Sequence, residues 1–532
     1  MVSEYKPDFP EDADFEKLID KYGEELGVLQ REAHELDIPI IIVFEGWYDV
    51  FIGEVINRQL LPLDSRGFDF HFTDAPTSEE NKIPFIFRFS QKIPPKGKIA
   101  VFDRSWYMRG LIEHLLNDSD IFGCSNLSKK SNIEAIFTEP ANKEIINSPK
   151  FERMIKTFND FEKTLSDNGT YIIKIYLGAR KETREESHKI WKKIMPYNID
   201  KRSTEKIYKK DIHVIKEVIE KTNTEYAPWN LYFVDKNIDE VTAGTMQIIT
   251  QQIKKAIFDV KSKRALEENS VCALPKQNLI KTEGPLDLVD LSKSYTKKEY
   301  KEKLKKYQKK LAFLHYSLYL NKKPMVLVFE GWDAAGKGSS IKRIVQAMNP
   351  RYYRVIPTGS PTDVDQKYHY LWRFLDGIPP CGKTSIYDRS WYGRVMVERI
   401  ENFCAEDEWK RAYDEINHFE KVMTNDGVIV IKFWMHISKE KQYERFVARS
   451  LNPLKQWKLT DEDWRNREKW DDYYAAVNEM IEKTSMKDAP WVIVEANDKY
   501  YARIKVLKTI VERIEEELGS KMEEMDFPVI GD

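Results

Sequence analysis

The sequence is poor in cysteine, nearly neutral, and free of long hydrophobic runs. Its four cysteines (Cys124, Cys272, Cys381, Cys404) are widely scattered over 532 residues and match no metal-ligand spacing. They are expected to be ordinary reduced thiols rather than the disulfide framework of a small secreted chain. Eighty-five Lys and Arg against 87 Asp and Glu leave a net charge of −2. That balance predicts nothing about partners; no nucleic-acid partner is expected, and any polyanion has to be held by a local basic surface. No apolar stretch approaches the ~20 residues that a membrane helix needs. With 42% hydrophobic and 32% charged residues, the composition is that of a soluble globular protein without a membrane partner. The first residues, Met-Val-Ser-Glu-Tyr-Lys-Pro-Asp, contain neither the basic nor the apolar segment of a targeting sequence, so a cytoplasmic location is expected.

The chain does contain one element twice. Residues 329–343 read Phe-Glu-Gly-Trp-Asp-Ala-Ala-Gly-Lys-Gly-Ser-Ser-Ile-Lys-Arg, and residues 44–58 begin Phe-Glu-Gly-Trp-Tyr-Asp-Val-Phe-Ile-Gly. The offset of 285 that superposes them also places Leu311 on Leu26, Pro379-Pro380 on Pro94-Pro95, and Asp388-Arg389-Ser390-Trp391-Tyr392 on Asp103-Arg104-Ser105-Trp106-Tyr107. Further on, Phe419-Glu420 meets Phe161-Glu162 at an offset of 258, so the first copy carries 27 extra residues, placed around 117–149. At this length two domains are the ordinary outcome. The boundaries predicted are 1–262 for the first domain, 263–296 for a linker containing Pro275, Gly284 and Pro285, and 297–532 for the second.

Each copy alternates apolar strand runs with helical patterns: Met325–Glu330, Ser385–Asp388, Val428–Met435 and Trp491–Glu495 in the second, Ile38–Glu45, Ala100–Asp103, Tyr171–Leu177 and Trp229–Val234 in the first. Fully apolar strands separated by helices predict an α/β fold, a parallel sheet flanked by helices in each domain. Lys297–Leu320, with apolar residues at Leu304, Tyr307, Leu311 and Leu314, predicts an amphipathic helix leading into the second domain.

In the second copy Gly331, Ala334, Ala335, Gly336, Lys337, Gly338 and Ser339 follow a strand and open a helix, the setting in which a glycine-rich loop cradles phosphate on backbone N–H groups. Lys337 supplies a compact cation able to follow a transferring phosphoryl group. Gly338 stands where a Ser or Thr usually follows the lysine, so a hydroxyl ligand could only come from Ser339. In the first copy Tyr48, Phe51 and Ile52 replace Asp333, Gly336 and Lys337. That loop is expected to be filled with hydrocarbon.

Asp388 ends a strand beside the loop and is a candidate Mg²⁺ ligand, with Arg389 a candidate for two phosphate oxygens. The competing reading has the two merely pair or cap helices. Asp333, inside the loop, is read as a second metal ligand or as an aid to the acceptor phosphate. Between Lys439 and Lys458 stand six basic residues against Glu440 and Glu444. Arg445 and Arg449 share a helix face there, and Lys455 and Lys458 follow Pro453, which suggests a helical basic lid that closes over the site. The first copy has Ser187 and Trp191 at the two arginine positions. Arg343, on the helix after the loop, is counted with Lys455 and Lys458 among the phosphate-binding residues.

Phe-Glu-Gly-Trp-Asp-Ala-Ala-Gly-Lys-Gly at 329–338, Tyr-Leu-Trp-Arg-Phe at 370–374, Tyr-Asp-Arg-Ser-Trp-Tyr at 387–392, Ile-Asn-His-Phe-Glu at 416–420 and Asn-Pro-Leu-Lys-Gln-Trp-Lys at 452–458 together resemble the family-2 polyphosphate kinases. The tandem arrangement resembles their two-domain subgroup, the polyphosphate:AMP phosphotransferases. The resemblance implies two tandem P-loop kinase-like domains, Mg²⁺ dependence, a homo-oligomer, and transfer of a phosphoryl group from inorganic polyphosphate to AMP, giving ADP. It assigns metal and acceptor phosphate to Asp333 and Asp388, the transferring group to Lys337 and Arg389, and the lid to Arg445 and Arg449. Three alternatives stand beside it: polyphosphate-dependent conversion of ADP to ATP, an ATP-dependent nucleoside monophosphate kinase, and a polyphosphate-binding scaffold.

Overall fold

The computed structural model describes the chain apart from residues 1–4, 8, 11, 47–49, 74–75, 111–145, 180–205, 235–236, 270–283, 453–458, 460 and 520–532. Most of the expected insertion at 117–149, Ser187 and Trp191, Lys455 and Lys458, and the middle of the expected linker lie outside the described residues. The chain forms two compact units, one of residues 1–81, 85–275 and 362–372, the other of residues 82–84, 276–361 and 373–532.

Each unit holds a five-stranded, wholly parallel sheet. The first contains β1 (Ile40–Gly46), β2 (Phe68–Phe72), β3 (Ile99–Asp103), β4 (Tyr171–Ala179) and β5 (Trp229–Val234) in the order β2-β3-β1-β4-β5. The second contains β6 (Met325–Gly331), β7 (Tyr353–Pro357), β8 (Thr384–Asp388), β9 (Ile429–His436) and β10 (Trp491–Glu495) in the order β10-β9-β6-β8-β7. The two orders are the same, so the duplication kept topology along with sequence. β1 and β6 are apolar up to Glu45 and Glu330 because a central parallel strand has no solvated face, and Met325 to Phe329 are fully buried. The edge strands β2 and β7 escaped sequence reading. Their residues are half-buried or exposed, and charged positions such as Arg354 interrupt the apolar run.

The helix Lys297–Leu320 opens with a capping box, Thr296 Oγ1 accepting from the Glu299 N–H at 3.3 Å while Glu299 Oε2 accepts from the Thr296 N–H at 2.8 Å. It buries Leu311, Leu314, His315 and Leu318, and the helix Phe15–Glu35 buries Leu26, Leu29, Gln30 and Ala33 at the same offset of 285. The helix Ile238–Asn269 runs through residue 262, where the linker was expected to begin. After the undescribed stretch the chain is already docked: Leu286 is buried and its N–H donates to Asn478 Oδ1 at 3.0 Å. Cys404 carries a free thiol, and Cys124 and Cys272 lie outside the described residues. Among the described residues no helix is long and apolar enough to cross a membrane.

One polar network lies at the centre of each unit. In the second, the ammonium of Lys432 on β9 donates to Glu420 Oε2 (2.7 Å), Tyr392 Oη (2.9 Å) and the Thr484 carbonyl (2.7 Å). Glu420 Oε1 accepts from Tyr392 Oη (2.8 Å) and Trp391 Nε1 (3.1 Å), and Trp491 Nε1 donates to Thr484 Oγ1 at 2.9 Å. Lys432 and Glu420 are both fully buried. The first unit repeats every contact with Lys174, Glu162, Tyr107, Trp106, Thr222 and Trp229. Burial pulls the Lys432 ammonium pKa down and Glu420 opposes it. Removing one partner strands the other charge away from water, which costs about 3–5 kcal/mol. Lys432→Ala is accordingly expected to lower the unfolding free energy of the second unit by that amount, read from the denaturant midpoint and slope, and an unchanged value would refute the assignment.

Candidate active site

β6 ends at Gly331, and the chain turns through Trp332, Asp333, Ala334, Ala335 and Gly336 before the helix Lys337–Val345 begins. Gly331 has φ 145°, and a Cβ there would lie 2.6 Å from Met435 Cβ and O, so no side chain fits. Gly336 caps the helix with φ 112°, and Ala334 takes a left-handed φ of 61°, an uncommon choice for a residue with a side chain.

Three anchors enforce this path. The Trp332 indole lies flat on Trp470, with centroids 3.7 Å apart and planes 11° apart, and its Nε1–H donates to His436 Nδ1 at 3.1 Å. Gln442 Nε2 donates to the Asp333 carbonyl at 3.2 Å. Arg445, from the helix Lys439–Ser450, donates through Nη1 to the Ala334 (2.8 Å) and Ala335 (2.9 Å) carbonyls and through Nη2 to those of Ala496 (2.6 Å) and Asn497 (3.0 Å). Its burial, and then the neighbouring Arg449, bring the Arg445 pKa down to about 10, still charged at neutral pH. The expectation gave Arg445 to a lid reaching for phosphate. The structure commits its guanidinium to the loop backbone instead, and half-buried Arg449 stands one turn further on.

The side chains turned to the loop's mouth come from three elements. Lys337 Nζ donates to the Gly331 carbonyl at 2.6 Å and to that of Trp332 at 3.4 Å, folded onto the loop it would extend from. The N–H groups of Lys337, Gly338 and Ser339, in the first turn, have no intrahelical acceptor. Ser339 Oγ donates to the Gly336 carbonyl at 2.9 Å. Asp388, paired in register with Phe329, puts Oδ2 3.9 Å from where a Cβ on Gly338 would sit, and its carboxylate accepts no hydrogen bond among the described residues. Arg389 is half-exposed and holds Asp333 loosely, Nη2 to Oδ1 at 3.3 Å, with Glu462 at 3.9 Å. Asp333 Oδ2 accepts from Asn466 Nδ2 at 3.0 Å.

Glu330, one residue before the loop, is buried. Its Oε1 accepts from the Ser390 N–H (2.7 Å) and Oγ–H (2.8 Å), which ties the Asp-Arg-Ser turn to the central strand. Burial raises the Glu330 pKa, with Lys337 and Ser390 opposing. Arg343 faces elsewhere: Nε donates to Tyr300 Oη at 3.2 Å and Nη1 to Gln346 Oε1 at 3.3 Å.

Asp333, Lys337, Gly338, Ser339, Asp388 and Arg389 thus share one mouth, Arg445 lies beneath it, and Arg343 belongs to a separate contact. Sequence reasoning missed Gln442, Asn466, Glu462 and the Trp332–Trp470 stack, for which no spacing rule gives a signal. It also missed Lys174 and Lys432, although a lysine at the same offset of 258 in two apolar strands was a readable signal. In the first unit Ile52 is buried, with Cδ1 2.5 Å from where a Cβ on Gly46 would sit. Hydrocarbon occupies the floor that Lys337 holds in the other copy.

Among the described residues no three of His, Cys, Asp and Glu gather as metal ligands; the carboxylates at the mouth are Asp333, Asp388 and Glu462.

A central parallel strand feeding a glycine loop with a lysine at the helix start, a strand-end aspartate and an adjacent arginine defines a phosphate-loop phosphotransferase. Residues 10–120, 128–261 and 294–522 match the family described as Polyphosphate kinase 2. The chain belongs to the polyphosphate kinase 2 family. It is 35% identical over 507 residues to a polyphosphate:AMP phosphotransferase of Pseudomonas aeruginosa, covering 94% of this chain and 96% of that one. The protein of the same name in Acinetobacter johnsonii is 30% identical, with 89% and 90% covered. A solved structure described as a polyphosphate kinase 2 of Pseudomonas aeruginosa superposes with a TM-score of 0.79 at 33% identity, covering 98% of this chain and 99% of that one.

Two outcomes follow from the anchors. Arg445→Lys keeps the charge but cannot reach four carbonyls, and is expected to destabilise the second unit by about 2–4 kcal/mol, measurable by denaturant titration without substrate. His436 accepts from Trp332 only when neutral, and burial holds its pKa at about 4, against the opposing pull of Asp287 and Glu495. The unfolded chain, with a histidine pKa of ~6.5, therefore takes the proton first as pH falls, so stability present above pH ~6.5 is lost towards pH ~4, by up to about 3 kcal/mol. Unfolding midpoints at pH 7 and 5 should draw together in His436→Gln.

Proposed function

We propose that the second domain transfers the terminal phosphoryl group of inorganic polyphosphate to AMP, giving ADP. The observation that carries this reading is the end-to-end match to polyphosphate:AMP phosphotransferases in a chain that keeps a phosphate loop with its lysine in one unit alone. In this reading the N–H groups of Lys337, Gly338 and Ser339 hold non-bridging oxygens of the donor. Lys337 leaves the Gly331 carbonyl and follows the phosphoryl group, adding positive charge as the bond to the leaving oxygen lengthens. Arg389, only loosely held by Asp333, turns to the same group. Asp333, steadied by Asn466, keeps Arg389 and the acceptor phosphate in line. Asp388 and Asp333 would hold Mg²⁺, which neutralises phosphate charge when bound. Arg445 keeps the loop carbonyls turned away from phosphate and so keeps the N–H groups turned towards it. The first domain acts as a structural or regulatory partner without turnover of its own.

A second reading, with ADP as acceptor, has support from shorter relatives. A protein of Rhizobium meliloti named ADP-polyphosphate phosphotransferase 2 is 39% identical over 207 residues, covering 39% of this chain and 68% of that one. Purified protein with polyphosphate, Mg²⁺ and AMP should yield ADP. Product with ADP but none with AMP moves the assignment to the second reading, and dependence on ATP with indifference to polyphosphate overturns both. Lys337→Ala should lower kcat by at least about 10²-fold, and substantial turnover left in that variant would show that the first domain is active.

A further inference from the structure

The helix Lys297–Leu320 and its counterpart Phe15–Glu35 bury matching residues but carry opposite charge. At the offset of 285, Lys297, Lys301, Lys305 and Lys309 stand where the first domain has Asp12, Glu16, Asp20 and Glu24. All eight are exposed. Positions four apart form one ridge along a helix, so the second domain's helix presents a stripe of four ammonium groups where the first domain's helix carries Glu16, Asp20 and Glu24, with Asp12 in the turn just before it. From Lys297 to Lys323 there are ten lysines against Glu299 and Glu302. A generic solvated face would keep mixed signs, and burial cannot explain the reversal, because the buried sides correspond.

The stripe belongs to a helix bound to the phosphate loop's own helix. Gln308 Nε2 donates to the Arg343 carbonyl at 2.8 Å, and Tyr300 Oη accepts from both Arg343 (3.2 Å) and Arg503 (3.4 Å). Tyr300 also stacks on Tyr500 at 4.4 Å. Arg503 in turn adds its charge to that felt by Arg445 under the loop.

Resting on the phosphotransferase reading above, we infer that the lysine ridge Lys297–Lys301–Lys305–Lys309 is an accessory docking track for the remote part of a long inorganic polyphosphate whose end occupies the loop. With a net charge of −2 the protein has no overall field to hold such a chain, so retention must be local. The track makes affinity depend on donor length: a chain too short to reach the ridge gains nothing, while a long one is held at a second place and stays near the loop between turnovers.

The test transplants the first domain's charges as Lys297→Asp/Lys301→Glu/Lys305→Asp, leaving the loop untouched. With AMP at saturation, KM for polyphosphate of several hundred units is expected to rise roughly tenfold at low salt, with kcat and KM for tripolyphosphate unchanged. Anisotropy of labelled long polyphosphate, read without nucleotide, should show the same loss, and the Lys→Gln triple a smaller one. An unchanged long-chain KM, or an equal rise for tripolyphosphate, overturns the track. RNA binding at least as tight as polyphosphate and equally lost in the variant overturns the assignment of the ligand. Absence of ADP formation by the unaltered protein strikes the phosphotransferase reading, whereas the anisotropy measurement still judges the ridge.

Discussion

A fully buried ammonium–carboxylate pair, Lys432 with Glu420 and its twin Lys174 with Glu162, is the interaction on which each domain's geometry depends. Two charges removed from water are tolerated only when every donor and acceptor is matched, and this requirement ties five pieces of chain together. β9 supplies the lysine, the helix Glu406–Asn425 the glutamate, the turn after β8 supplies Trp391 and Tyr392, the helix Trp470–Thr484 the Thr484 carbonyl, and β10 supplies Trp491. The helix that carries Thr484 also carries Trp470, on which the loop tryptophan stacks. The phosphate loop is thus seated on a frame whose alignment is set by electrostatics in a dry interior.

That frame is common to both domains, and one place where they differ is the loop. Ile52 fills the space beside Gly46, whereas Lys337 reaches the equivalent Gly331 carbonyl. An isoleucine in place of a lysine there removes the cation and the need to solvate it, and the first domain keeps its sheet order and its buried pair without it. The surface ridge on the helix before β6 changes sign in the same comparison, while the buried face keeps its leucines, Leu311 and Leu314 matching Leu26 and Leu29. Charge is cheap to change where water screens it and costly where it does not, which is why divergence gathers at the mouth and surface.

The central strands, the amphipathic helix Lys297–Leu320 and the loop were legible because each has a local rule: an apolar run, a 3.6-residue period, a glycine-and-lysine spacing after a strand. β2 and β7 were not, since an edge strand with a half-solvated face carries no uninterrupted apolar run. Arg445 shows a different limit. Its position four residues before Arg449 was read correctly as a shared helix face, yet residue type and spacing do not reveal whether a guanidinium meets a ligand or four carbonyls of its own chain. Only the fold brings Ala334, Ala335, Ala496 and Asn497 to one point. Asn466 and Gln442 were illegible for the same reason, being polar residues without a motif whose partners lie more than 100 positions away.

Backbone strain separates frame from function in a way that residue identity does not. Arg389 and Arg104 both adopt left-handed φ values, 67° and 62°, conformations that cost a side-chain-bearing residue on the order of 1–2 kcal/mol. Were the strain kept for chemistry, the domain without a loop lysine would have had no reason to retain it. In both copies the arginine N–H donates to the central strand, to Phe329 at 3.0 Å and to Phe44 at 3.2 Å. The next residue, a serine, then gives its N–H and its hydroxyl to the buried Glu330 or Glu45. The strained residue is what turns the chain so that the serine meets the glutamate and the following Trp-Tyr pair enters the buried network. Ala334, by contrast, holds its φ of 61° inside the loop, where the carbonyl it exposes is taken by Arg445. The first kind of strain is required by the fold and therefore duplicated; the second shapes the glycine loop. Arg389 consequently owes its aim towards the loop to a turn that the folding of either domain demands, whereas Lys337 and Asp333, which differ from Ile52 and Tyr48 at the matching positions, are what the second domain adds to that frame.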